Sequence, residues 1–208
     1  MNTSSLAYHR GELRVALDAS NPQRLVPDPG RASSILDIGC GAGQTIVALG
    51  AARRSVGVDV DLQALACAAT GAIGEPIRVA GARGEALPFR NAAFDYVYSR
   101  VALPYMNIPS ALAEMRRVLR PGGRLWLALH PLAIPAEQFR RGNLKGKVYA
   151  ACIIVNGLWF HLTGRTLRIG RICESIQTER GMRVAMARAG FSRVAFRHTA
   201  HFIVTAER

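Results

Sequence analysis

The stretch Ile35-Leu36-Asp37-Ile38-Gly39-Cys40-Gly41-Ala42-Gly43-Gln44-Thr45 narrows the possible folds more than any other part of the chain. An apolar run too short for a helix opens into three alternating glycines, and helix-forming residues follow. Such a strand–loop–helix transition opens a βαβ unit, in which buried parallel strands read as short apolar runs separated by helix-length segments. The pattern continues downstream. Strands are predicted at Ser34–Ile38, Ser55–Val58, Ile77–Val79, Phe94–Tyr98 and Arg124–Leu129, with helices at Gln44–Ala51, Leu62–Thr70 and Pro109–Leu119. The last of these helices starts at a proline and stops before Pro121-Gly122-Gly123, and both features suit helix ends. The alternation predicts an α/β architecture around a mostly parallel sheet.

Glycines at 39, 41 and 43 let the backbone turn sharply and bring bare main chain against a flat ligand. In a doubly wound sheet, nucleotide-like ligands sit where strand ends feed helix starts. The G-x-G-x-G spacing departs from the G-x-G-x-x-G of dinucleotide sites. Twenty residues past Gly39 the second strand ends in Val58-Asp59-Val60-Asp61, and a carboxylate there can accept from both hydroxyls of a ribose. Alone, the glycines read equally as a tight turn. Asp59 at this spacing makes a ligand cradle the better reading.

These residues resemble the class I S-adenosylmethionine-dependent methyltransferases, in the type 11 group that includes the ubiquinone/menaquinone-biosynthesis enzymes. The resemblance runs from about Ile35 to Leu129. Leu36–Gly43 is similar to the family's first motif, and Val58-Asp59 to its ribose-binding acid. Glu85-Ala86-Leu87-Pro88-Phe89 followed by Phe94-Asp95-Tyr96-Val97 resembles its adenine-side loop and fourth strand, and Leu119–Leu125 its turn into the fifth strand. The resemblance implies a Rossmann-like, doubly wound, mostly parallel seven-stranded sheet with an antiparallel last strand. The closing pair of strands matches the β-like runs Phe191–Arg197 and His201–Ala206, which follow a helix predicted at Glu179–Ala189. The implied single domain divides into an N-terminal helical cap (1–33), a cofactor-binding core (34–130), a substrate-side lid inserted before strand six (131–180), and the last helix with its hairpin (181–208).

Carried across residue by residue, the resemblance implies S-adenosylmethionine as cofactor and no metal. The backbone around Gly39, Cys40, Gly41 and Gly43 passes beneath its methionine part, with Asp37 directed at the ammonium group. Asp59 takes the ribose, Val60 packs on the adenine, and Gly84, Glu85 and Ala86 border the adenine edge. Ser99 and Arg100 line the methionine end. One departure stands out: relatives commonly carry Asp two residues before the Glu-Ala-Leu-Pro-Phe stretch, whereas this chain has Arg83, which offers no acceptor. Glu85 or a backbone carbonyl then takes over that contact, or the affinity is lower.

Methyl transfer from a sulfonium needs alignment first, and a base only where the acceptor must lose a proton. Tyr105 and His130 lie at strand carboxyl ends, where substrates dock. They are the catalytic candidates, His130 as a general base or as a packing residue, Tyr105 as a catalyst or a pocket wall. The histidines at 130, 161, 198 and 201 form no metal-ligand spacing.

The chain carries 27 Lys+Arg against 14 Asp+Glu, a net +13 over 208 residues. The excess is uneven: residues 1–130 hold 14 basic and 10 acidic groups, and residues 131–208 hold 13 and 4. Half the residues are hydrophobic, which excludes disorder. Four separated cysteines and no secretory leader predict reduced thiols and a cytoplasmic location. Val148–Gly164 contains no charged residue. It reads as a lid over a hydrophobic acceptor, as an extra core helix, or as a helix lying in a membrane interface, flanked by Arg140, Arg141, Lys145, Lys147, Arg165, Arg168 and Arg171. A small, apolar or aromatic acceptor is the favoured partner. Nucleic acid suits the charge but lacks clustered basic residues and stacking aromatics. A cofactor-binding module without turnover is a third reading, and the sequence leaves the oligomeric state open.

Overall fold

The computed structural model describes residues 3–129, 144–167 and 174–208, with side chains described from Ala7 and from Lys145 onward in the first two stretches. Seven strands form one sheet: β1 (Ile35–Ile38), β2 (Ser55–Asp59), β3 (Arg78–Gly81), β4 (Phe94–Arg100), β5 (Leu119–Leu129), β6 (Ser192–His198) and β7 (Phe202–Glu207). Their spatial order is β3-β2-β1-β4-β5-β7-β6. The pairs from β3 to β5 are parallel, and β7 runs antiparallel between β5 and β6. The order reverses direction at β1, whose two neighbours are β2 and β4. A crevice therefore opens above its carboxyl end.

Strand alternation sorts the apolar residues onto the two faces. Leu36 and Ile38 of β1, with Leu125, Leu127, Leu129, Phe202 and Val204, pack beneath two helices, α4 (Ile108–Val118) and α6 (Glu179–Arg188). Ile35, Tyr96, Tyr98, Trp126, Ala128 and Ile203 face the other way with Leu25 and Ile46. Period-2 side-chain reversal produces this split directly.

Local chemistry sets the ends of the helices. Asp61 caps α3 (Leu62–Thr70), accepting from Gln63 N–H at 2.9 Å and Ala64 N–H at 3.1 Å, and Gly71 closes it with φ +70°. The helix α2 (Gln44–Ala48) is shorter than the sequence pattern predicts, because the chain turns at Gly50 and enters a 3₁₀ turn at Ala52–Arg54. The predicted β4 extends two residues further, to Arg100, where pairing with Ala128 of β5 sustains it.

An N-terminal helix, α1 (Thr3–Leu17), packs against α2. The apolar insertion forms one long helix, α5 (Leu144–Thr163), which packs on α6. Its Ala150, Ile153 and Phe160 are buried, and Phe160 joins the main core. Asn156, fully buried, donates to the carbonyls of Leu167 (3.0 Å) and Glu174 (2.9 Å) and accepts from Leu167 N–H (2.7 Å), fastening to the helix two points of the chain that follows it. No helix among the described residues is long and apolar enough to cross a membrane.

Asp95 clamps the bottom of the sheet. One of its carboxylate oxygens accepts from the N–H and hydroxyl of both Ser33 and Ser34 at 2.6–3.0 Å, and the other pairs with Arg120. Partial burial works to raise its pKa, but the hydrogen bonds from Ser33, Ser34 and Arg120 win and hold the carboxyl well below the usual range. A depressed folded-state pKa stabilises above the ordinary carboxylate range, and that contribution is lost as pH falls. Replacing Asp95 with Ala is expected to cost about 2–3 kcal/mol at neutral pH, a Tm drop of roughly 4–10 °C. The deficit should shrink toward pH 3; thermal melts that show the same deficit at pH 3 and pH 7 would contradict the assignment.

Candidate functional site

The site is built where β1 ends. Gly39 and Cys40 turn their N–H groups onto the carbonyl of Val58 in β2, at 2.8 and 3.1 Å. Gly39 has φ +79°, and a Cβ there would come within 2.2 Å of the Ala102 methyl. Only glycine permits both the left-handed turn and that approach. Gly41 N–H then donates to Asp59 Oδ2 at 2.8 Å, and Gly43 starts α2. The other oxygen of Asp59 accepts from Asp61 N–H at 3.0 Å. Two adjacent acids thus divide the work: Asp61 caps a helix, and Asp59 braces the glycine loop with its carboxylate at a cavity wall.

Two cavities flank this loop. The smaller, about 280 Å³, is lined by Ile38, Asp59, Val60, Gly84, Glu85 and Met106 among others. The larger, about 650 Å³, is lined by Tyr8, His9, Glu12, Gly41, Arg100 and His201 among others. Both touch Gly39, Ala102 and Tyr105, which mark their common boundary. The chain is strained there. Val101 has φ +61°, uncommon for a β-branched residue, and its N–H is held by Ala128 O at 2.9 Å.

The wall of the smaller cavity is tied from behind. Glu114 accepts from Leu87 N–H at 2.8 Å and pairs with Arg117 at 2.6 Å, while Arg117 donates to the carbonyls of Leu87 and Phe89 and to the Asn91 side chain. Hydrogen bonds from Arg117 pull the Glu114 pKa down, so the brace is ionic at neutral pH. Glu85 accepts from Asn107 N–H at 2.9 Å and from Arg83 at 3.3 Å, and Ala86 N–H closes a turn on Arg83 O at 3.1 Å. Arg83 itself is largely exposed at the rim. Val60 stands 68% exposed, an apolar surface with a flat ligand's space beside it.

Asp37 lines neither cavity; it is buried beneath the loop. Burial pushes its carboxyl up to about 7, opposed by the Tyr98 hydroxyl and the charge of Arg100. Its Oδ1 has no hydrogen-bond partner among the described residues. Ser99 is likewise fully buried and donates to Ile38 O at 2.8 Å, pinning β4 to β1. Burial and the nearby carboxyls of Asp37 and Asp59 push the Cys40 thiol far above its ordinary range, so it stays protonated. Arg100 reaches the larger cavity and pairs with Glu12 of α1 at 2.6 Å.

Sequence reasoning did not single out Tyr8, His9 or Glu12 as site residues, and weighed His201 only as a metal ligand. The first three share one face of α1 with Val15, and the cavity-lining positions 8, 12 and 15 follow the helical i, i+4, i+7 spacing that could have flagged them. His9 lies against Gly41, nine-tenths buried, with Nδ1 unpartnered. His201 sits in the β6–β7 turn, and burial, with the Arg100 charge, lowers its pKa below the ordinary histidine value. Burial raises the phenol of Tyr105, as do Glu174 and Tyr8. His130, expected as a general base, lies outside the described residues. Among the described residues no group of three or more His, Cys, Asp or Glu is placed to hold a metal.

Residues 36–127 match the model of the methyltransferase domain. Over this stretch, less than half of the chain, the protein is similar to a methyltransferase domain. The chain is 33% identical over 108 residues to a malonyl-[acyl-carrier protein] O-methyltransferase of Erwinia pyrifoliae, covering 47% of this chain and 37% of that protein. It is 36% identical over 106 residues to the uncharacterized methyltransferase YodH of Bacillus subtilis, covering 50% and 45%. The chain thus spans half or less of the length of these relatives. Among solved structures, the fold is similar to a chain of the complex between the Haloferax volcanii Trm112 methyltransferase activator and its methyltransferase, with TM-score 0.65, 16% identity, and 100% and 98% of the two chains covered. A S-adenosylmethionine-dependent methyltransferase of Thermotoga maritima aligns with TM-score 0.58 and 17% identity over 98% and 91%. The class I methyltransferase fold implies S-adenosylmethionine as the cofactor. The residues here fit it: a glycine cradle, a carboxylate at ribose spacing, and a buried acid with an unpartnered oxygen beneath the loop.

Asp37 carries a measurable cost. Its folded pKa lies about three units above that of an exposed carboxylate, so stability declines as pH rises from about 4 to 7 and the buried group ionises. Asp37→Asn is expected to stabilise the fold at pH 8 by an amount of order a few kcal/mol, seen as a raised Tm, and to leave the Tm unchanged near pH 4. A variant equally or less stable at pH 8 would contradict this.

Proposed function

We propose that the protein is an S-adenosylmethionine-dependent methyltransferase that moves a methyl group by in-line displacement onto a small acceptor with an apolar or aromatic body. The reading rests on the boundary at Gly39, Ala102 and Tyr105. A cavity suited to a nucleoside opens on one side of it, and a larger one lined by aromatic, imidazole and ion-paired side chains on the other. When bound, the cofactor supplies a methyl already activated on sulfur, so what remains for the protein is alignment, worth several kcal/mol.

The chain's own residues divide that task. Asp59 offers its carboxylate to the ribose hydroxyls while keeping its bond to Gly41. Val60 covers the adenine, and Glu85, at the wall of the smaller cavity, serves as the acceptor that Arg83 cannot provide. Asp37 gives a negative field under the cationic end. Tyr105, its phenol held protonated, acts as wall and hydrogen-bond donor. Where the acceptor must shed a proton, His201 is kept neutral by burial and by Arg100 and is fit to accept it; His9 flanks the same space.

Calorimetry with S-adenosylmethionine should give a saturable heat, and Asp59→Ala should weaken it by roughly 100-fold, the loss of two hydrogen bonds to a charged acceptor. No heat with the wild-type chain would end the reading. Turnover is tested with labelled methyl donor against lipid-like, quinone-like and phenolic acceptors; binding without any labelled product would make the chain a cofactor module. With an active acceptor found, His201→Gln should lower kcat by about 10²-fold or more and remove the acidic limb of the pH profile. His9→Gln serves as the comparison, and an unchanged profile in His201→Gln would exclude that base.

A further inference from the structure

The helix α5 is buried on one side only. Ala150, Ile153, Asn156 and Phe160 are fully or nearly fully covered, whereas Val148, Val155, Leu158, Trp159 and Leu162 are 42–64% exposed. At about 100° per residue these exposed positions, with Ala151 and Cys152 between them, fill an arc of about 120° on the face opposite the core. Lys147 falls just outside one edge of the arc and Lys145 just outside the other, and both are exposed. Exposed Arg165 follows at the C-terminal end of the helix, where Arg188 donates to Thr163 O. From Leu144 to Leu167 there is no Asp or Glu.

We propose that this face of α5 docks on an anionic lipid bilayer, with the helix lying in the interfacial plane. An apolar strip edged by lysines lets the acyl boundary cover Val148, Val155, Leu158 and Leu162 while the long Lys145 and Lys147 stems extend to phosphates. Trp159 lies within the strip toward its Lys145 edge, and indole favours the headgroup boundary. Charge complementarity selects the occupant. A second copy of the chain would bring like-charged rims together, and a neutral apolar protein would leave the lysines unanswered. Each basic residue near an anionic surface adds about a factor of five to binding. The helix lies on the membrane and does not span it, since it is not apolar enough to cross.

Flotation of the full chain with vesicles of phosphatidylcholine and phosphatidylglycerol tests this without reference to activity. At low salt the wild type should float with the anionic vesicles and stay behind with pure phosphatidylcholine. Lys145→Gln/Lys147→Gln should lower the partition coefficient roughly 30-fold. Trp159→Glu should abolish flotation, and its melting temperature checks that it folds. The wild-type tryptophan emission should shift to the blue on vesicle addition, a signal from Trp159, because Trp126 is already buried. Equal flotation on both lipids, or none, overturns the proposal. So does sedimentation showing a wild-type dimer that Trp159→Glu converts to monomer, which would make the strip a self-association surface.

Discussion

The reversal of strand order at β1 is the constraint on which the rest of the molecule depends. With β2 on one side and β4 on the other, the helices following β1 and β4 depart in opposite directions, and nothing continuous covers the end of the central strand. The chain fills this gap with its least bulky residue, Gly39, and lets the segment after β4 approach until the Ala102 methyl touches it. That contact divides the crevice into a smaller and a larger cavity. The strained Val101 is a cost accepted at the same point, since a relaxed turn would move Ala102 away from Gly39.

Charge placement in the crevice follows from burial. Asp59 accepts from two backbone N–H groups and stands half-buried at the wall of the smaller cavity. Asp37 is enclosed by Tyr98 and Cys40, and its carboxyl rises toward neutrality. An acid held near its midpoint responds strongly to a cation arriving above it, because ionisation then gains a partner. The pair Arg100–Glu12 plays the complementary part across the larger cavity. It joins the end of β4 to α1 and places a fixed guanidinium beside His201.

The central sheet was legible because its signals are local. Apolar runs, the glycine loop, Asp59 and the proline-started α4 each follow from short-range backbone chemistry, and their boundaries fall within a few residues of the sequence reading. Asp59 and Glu85 reach the wall of the smaller cavity. Asp37 and Ser99 do not, because alternation turns one under the loop and the other onto Ile38 O. The larger cavity was largely invisible. Its walls come from α1, from the β4 loop and from the β6–β7 turn, segments that are distant in sequence and meet only through tertiary packing. No short motif marks a histidine on an amphipathic helix as facing a cavity.

The insertion shows the same limit from another side. From composition, α5 could be buried, lid-like or interfacial, since an uncharged helix satisfies all three. The structure separates its two faces: Gly181 of α6 lets Phe160 of α5 pack closely on it, and Gly157 makes room for Ile176 in the segment before α6, which together consume the Phe160 side. The remaining face is apolar by necessity of sequence and unsatisfied by the fold. Its exposed hydrocarbon makes water a poor match, and the lysines beside its N-terminal end make an anionic surface a good one. The excess positive charge then has two components. Residues 1–130 hold 14 basic against 10 acidic groups, while beyond residue 130 the excess is larger and includes Lys145, Lys147 and Arg165 beside an apolar face. It is the second, set beside exposed hydrocarbon, that turns a net charge suggestive of nucleic acid into one suited to lipid.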